Sequence, residues 1–145
     1  MKYSITTSQV MVACGEEKAF KVIKDAGFDY CDYGYPCSAY RYSPDSLYSA
    51  SDAEFEAAFM RHKKFADAAG VRIGQTHAPF PTYPESKNPD ELRYMVNAIK
   101  RALIASKILE SPYMVIHAAM PNSWKGETDW DMVRKVNYDI FLGDP

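Results

Sequence analysis

Two histidines hold equivalent places in a repeat. His77-Ala-Pro-Phe-Pro81 follows the alternating segment Val71-Arg-Ile-Gly-Gln-Thr76, and His117-Ala-Ala-Met-Pro121 follows Tyr113-Met-Val-Ile116, an offset of 40 residues. Imidazole moves protons near neutral pH, and its unprotonated nitrogen binds metals. In each copy a proline shortly after the histidine stops the strand. Both rings are therefore expected at strand ends on one rim of a parallel sheet, where α/β folds keep their chemistry. Asp32, which ends an earlier strand-like stretch, is either a third polar group of that pocket or a residue that caps the next loop or pairs with a base. Two imidazoles alone make a weak metal site, because a catalytic zinc usually takes three protein ligands, and neither histidine stands in an HxxxH array.

Other residues are candidates by position. Phe80 and Trp124 follow the two histidines closely and are expected to wall the same pocket. Tyr33, Tyr35, Tyr40, Tyr42 and Tyr48 crowd one segment, either as a lid offering amphipathic rings to a ligand or as a loop packed across the rim. His62 has phenylalanines at helical spacing around it and is expected in the core or an interface. Cys14 falls just after the first strand, near the rim, without a neighbouring base to activate it, and is read as inert. The three cysteines include no CxxC pair, which argues against a disulfide scaffold or a zinc knuckle.

The elements that must position these residues alternate regularly. Lys2 to Thr7 is expected as a first strand, Glu16 to Ala26 as a helix ended by Gly27, and Phe28 to Asp32 as a second strand. Tyr33 to Ala50 follows as a long loop. Ser51-Asp-Ala-Glu54 is a capping box, and Phe55, Ala58, Phe59, His62, Phe65, Ala66 and Ala69 trace one face of the helix that Gly70 closes. A third strand, Val71 to His77, leads to a helix opened by Asn88-Pro89-Asp90-Glu91. On it Leu92, Met95, Val96, Ile99, Ala102 and Leu103 are expected inward, and Arg93, Asn97, Lys100 and Arg101 outward. Pro112, a fourth strand from Tyr113 to His117 and a helix from about Asp129 complete the chain. The class is α/β, four consecutive strand-then-helix units in a single domain over residues 1–145. Ser4, Thr6, Gln75, Thr76 and His77 give the strands one small or polar face, which favours a barrel wall over a doubly wound sheet apolar on both faces.

Composition narrows the partners. The 47% hydrophobic and 25% charged content is that of a soluble globular protein, and no apolar run approaches a membrane span. A formal charge of −2, with acids and bases scattered, offers no basic stripe for a phosphate backbone, so nucleic acid is not the favoured partner. The amino terminus lacks a signal-peptide pattern, and a cytoplasmic location is expected.

Three stretches resemble a known superfamily. Phe20-Lys-Val-Ile-Lys-Asp-Ala-Gly-Phe-Asp-Tyr30, Ala68-Ala-Gly-Val-Arg-Ile-Gly-Gln-Thr-His-Ala-Pro79 and Ala102-Leu-Ile-Ala-Ser-Lys-Ile-Leu-Glu-Ser-Pro-Tyr-Met-Val-Ile-His117 are similar to the xylose isomerase-like barrels, which include sugar and sugar phosphate isomerases and epimerases and apurinic-site endonucleases. The resemblance implies an eight-stranded TIM barrel of which these 145 residues supply the amino-terminal half. It also implies a divalent metal (Mn, Mg, Co or Zn) at the carboxyl rim, where proton transfer beside a sugar carbonyl would be assisted. In the endonuclease branch the histidines matching His77 and His117 bind metal, whereas in the sugar branch they more often line the substrate pocket. Most of the family's metal-binding Glu, Asp and His residues belong to strands five to eight, which this sequence does not contain. Three readings follow: a sugar isomerase or epimerase relative, a non-catalytic oligomeric binding module, and, ranked below them, an abasic-DNA nuclease relative. A half barrel would leave its first and fourth strands unpaired, so a homodimer through those strands is expected, with His77 and His117 of both copies facing one cavity.

Overall fold

The computed structural model describes residues 3–34, 46–79, 89–117 and 129–141. In chain order the elements are β1 (Ser4–Thr6), α1 (Thr7–Cys14), α2 (Glu16–Asp25), β2 (Tyr30–Gly34), a short 3-10 helix (Leu47–Ser49), α3 (Asp52–Ala69), β3 (Arg72–His77), α4 (Pro89–Ile108), β4 (Met114–Val115) and α5 (Trp130–Phe141). The strands form one parallel sheet in the order β1-β2-β3-β4. Parallel neighbours joined in sequence order, with crossovers of one hand, place their connecting helices on one side of the sheet. No described helix is long and apolar enough to cross a membrane.

The α/β alternation is as expected, with one addition. A helix, α1, follows β1 directly and is separated from α2 only by Gly15, whose φ of 82° suits a residue without Cβ. The segment Thr7-Ser-Gln-Val-Met-Val-Ala-Cys14 is β-branched at three positions and has no polar face of its own, so neither period marks it. Both described ends of the expected loop from Tyr33 to Ala50 contain regular structure. Tyr33 and Gly34 extend β2, and Ser46 caps the 3-10 turn by accepting from the Tyr48 N–H. The fourth strand spans only Met114 and Val115.

The core lies between the sheet and the helices. Ser51 and Glu54 form the reciprocal capping box, and Gly70 ends α3 in the left-handed conformation. The buried face of α3 carries Phe55, Ala58, Phe59, His62 and Ala66. The inward stripe of α4 is rotated from the expected one. Tyr94, Met95, Ala98, Ile99, Ala102 and Ala105 are buried, Leu103 is exposed, and Arg101 is only 8% exposed. Three alanines in that stripe let α4 approach closely, and the 3-10 turn offers Arg101 what a buried guanidinium requires. Its Nη1 donates to Tyr48 O (2.8 Å) and Ala50 O (2.7 Å), its Nη2 to Asp52 (3.0 Å), and the group lies 4.4 Å from the centre of the Phe55 ring.

The sheet has two unlike faces. Cys31, Tyr33, Ile73 and Thr76 are buried on the helix side. Thr76, expected on the polar face, instead meets Ser106 of α4 at 2.7 Å. The reason is a bulge. Cys31 pairs with Ile73, but Asp32 pairs with Gln75, so β3 holds one extra residue at Gly74. Beyond that point every β3 side chain is turned over relative to an unbroken ladder.

Candidate functional site

Thr6, Ser8, Asp32, Gly34, His77, Ala78 and His117 line an open cleft of about 220 Å³ at the carboxyl ends of the strands. All four strands contribute to it, at or just beyond their ends. Asp32 and His77 face each other because the bulge puts them on one side of the sheet. His77 Nδ1 lies 2.8 Å from Asp32 Oδ1. A carboxylate only accepts, so Nδ1–H is the donor and the second ring nitrogen, Nε2, is left with the lone pair in the neutral ring. The His117 ring stacks beside it, with centroids 5.7 Å apart and planes at 26°. Neither member of the Asp32–His77 pair is sealed off, their side chains being 17% and 29% exposed.

The opposite wall comes from the junction of β1 and α1. Thr7 Oγ1 accepts from the Gly34 N–H at 3.1 Å, fastening the start of α1 to the end of β2. Thr6 Oγ1 and Ser8 Oγ lie 3.2 Å apart at the cleft surface. A Cβ on Gly34 would stand 3.1 Å from Ser8 Cβ and 3.3 Å from Thr6 Oγ1, so its absence keeps the floor open beneath both hydroxyls. Sequence reasoning missed Thr6, Ser8 and Gly34 as site residues. The available signal is register, since Thr6 ends the first strand opposite Asp32.

Chemically, the cleft offers an oriented imidazole, a second imidazole and two hydroxyls, a set suited to hydrogen-bonding a polyhydroxylated molecule and to moving one proton. Among the described residues, no three His, Cys, Asp or Glu groups are arranged to hold a metal. Asp32 is occupied in holding His77, and two ring nitrogens do not complete a three-ligand site. The metal implied by the resemblance thus lacks a full donor set among the described residues.

The other expected residues divide as follows. Tyr33 and Tyr48 are not a lid, because both are buried in the core at 0% and 1% exposure. Tyr35, Tyr40, Tyr42, Phe80 and Trp124 lie outside the described residues. His62 is a core residue, as one of its expected alternatives had it. Its Nδ1 is 2.5 Å from Tyr33 Oη, with Phe59 and Phe65 rings around it. Glu16 Oε2 approaches His62 Nε2 to 2.9 Å but off the ring's N–H direction, so that contact is ionic in distance without being an aligned hydrogen bond. Cys14 lies at the far end of α1, donating to Val10 O at 3.1 Å, one helix length from the strand end. Burial, and secondarily the charge of Asp32, push the Cys31 thiol up to about 12, which keeps it protonated and unreactive.

A larger cleft of about 470 Å³ opens at the opposite end of the sheet, lined in part by Tyr30, Lys63, Asp67, Arg72 and Glu110. Its central cation is already paired, with Lys63 2.6 Å from Asp67 and 3.1 Å from Glu110. Open α/β sheets bind ligands at the carboxyl ends of their strands, and the oriented histidine is at that end. No protein-family model and no curated protein matches the chain.

Proposed function

We propose that this chain is a xylose isomerase-like half barrel, a (β/α)4 domain whose rim cleft takes a small sugar or sugar phosphate and moves a proton on the carbon beside its carbonyl. The observation that carries this reading is the 2.8 Å contact between His77 Nδ1 and Asp32. It turns a surface histidine into an oriented base. His77 Nε2 accepts the proton from the C–H bond, that bond's electron pair moves toward the carbonyl oxygen, and Asp32 stabilises the imidazolium that forms. His117 and the Thr6 and Ser8 hydroxyls are placed to hold substrate oxygens as charge develops on them. Returning the proton to the neighbouring carbon, while the hydroxyl proton of the carbon that lost it passes to the former carbonyl oxygen, gives an isomer, and protonation from the opposite face by a second donor such as water gives an epimer. No step runs through a divalent metal, because the described rim residues do not complete its ligand set. The unreversed strand order and a single cleft reached from all four strands support the barrel-wall part of the reading. A cytoplasmic setting belongs to the same proposal.

The test is proton NMR in deuterated buffer with a panel of aldoses, ketoses and their phosphates, with and without added manganese or cobalt. Loss of the signal from the carbon beside the carbonyl is expected, slowed about 10²- to 10⁴-fold by His77→Ala. Absence of exchange under every condition would remove the proton-transfer half of the proposal. The two-imidazole donor set favours one other reading, a binding module without turnover. Saturable heat of sugar binding in calorimetry, with no exchange, is its signature.

A further inference from the structure

Exposed apolar side chains flank both edge strands, apart from those scattered on the helices such as Val22, Met60, Ile104 and Tyr138. Tyr113 and Ile116, on either side of β4 in the chain, are exposed, and so are Tyr3, just before β1, and Val12 of the helix that follows β1, the last at 75%. The two central strands present no large exposed apolar side chain. Each edge strand is bonded on one flank only, β1 to β2 and β4 to β3, so its outer backbone groups lack a ladder partner among the described residues. An unpaired strand edge flanked by apolar side chains is a template for another strand.

We propose that two copies of this chain associate head to tail, β4 of each beside β1 of the other, to close an eight-stranded wall. The proposal rests on the half-barrel reading above. A twofold axis running along the strands brings the two edges together in parallel, as the rest of the sheet is paired, and satisfies both edges of both copies at once. An axis across the strands would pair β4 with β4 in antiparallel fashion and leave β1 open. The surfaces fit this use. Helix α1, which carries Val12, has no charged residue over its whole length, and interface centres are depleted in charge. Large apolar side chains of roughly 150–250 Å² each, about half exposed, amount to several hundred Å² per copy, on the scale of the roughly 800 Å² per partner in a stable interface. Association also completes the cleft, since His117 at the end of β4 gains the partner's β1 end as a neighbouring wall.

Sedimentation equilibrium at micromolar concentration tests the inference, with circular dichroism confirming that each variant is folded. The wild-type chain is expected at twice its chain mass. Val12→Glu and Ile116→Lys alter exposed positions on opposite edges, and each alone is expected to halve the mass. Mixed together they are expected to restore the dimer, because one joint of the mixed pair is intact and the other sets glutamate against lysine. A monomeric wild type, or a dimer broken by Ile116→Lys and untouched by Val12→Glu, would overturn the head-to-tail arrangement. A wild-type monomer that still exchanges sugar protons would overturn this inference and leave the proposed function standing. A dimer without exchange would support the inference and remove the proton-transfer proposal.

Discussion

Adjacent residues of β2 each hold a histidine, and the two pairs differ in the partner's chemistry and in their surroundings. Asp32 reaches His77 on the open face, where both side chains keep some contact with water. Tyr33 reaches His62 under the helices, where both are sealed among aromatic rings. The buried pair has no competing solvent, so its bond and packing serve the fold. At the rim, water can replace either partner, so little folding energy depends on the contact and the ring is available for chemistry. Strand alternation assigns these roles, since one step along the backbone carries a polar group from the cleft to the core.

The sharpest way to break this comparison is to remove the core imidazole. His62→Ala deletes a packed ring and leaves Tyr33 Oη without its nitrogen partner, and is expected to cost about 3 kcal/mol in urea unfolding. A loss below about 1 kcal/mol would mean that the core pair is no more structural than the rim pair. Tyr33→Phe, which removes only the hydroxyl, is expected to cost about 1–2 kcal/mol. Asp32→Asn should change stability by less than about 1 kcal/mol, because the side chain is partly solvated. Its effect belongs instead to exchange kinetics, where a weaker hold on His77 should lower the rate. If Asp32→Asn unfolds the chain as readily as His62→Ala, the distinction between the faces fails.

The smallest effect is at Cys31, whose side chain shares the buried face with Tyr33. Its thiol is raised to about 12 in the folded chain, so folding favours the protonated form. That contribution is whole below the ordinary thiol value, near 9, and is lost as pH rises from there toward 12. Mild alkali should therefore lower stability modestly, and a thiol reagent at pH 8 should label Cys14 well before Cys31. Equal labelling rates would show that the helix-side face is not sealed.

Much of this arrangement is legible in the sequence. The capping box at Ser51, the left-handed Gly70 and the periodicity of α3 are local signals, and the structure repeats them. The meeting of Asp32, His77 and His117 follows from counting strand ends. What is not legible depends on tertiary context. Arg101 lies inside because carbonyls of residues about fifty positions away in the chain accept its protons. Thr76 and Tyr33 point inward by virtue of register, which no single strand announces. Helix α1 lacks any periodic contrast, and only its seat against β2 and α2 reveals it.

The bulge at Gly74 also makes the rim tolerant of a change in length. Removing that one codon would give an unbroken ladder in which Gln75 still pairs with Asp32, Thr76 with Tyr33 and His77 with Gly34, so His77 would stay at the rim and Thr76 beneath α4. The cleft's set of side chains would thus survive the loss of that codon, because the bulge confines the extra residue to one place in β3. A Gly74 deletion that folds is expected to go on exchanging substrate protons, whereas a folded deletion without exchange would show that the bulge itself shapes the cleft.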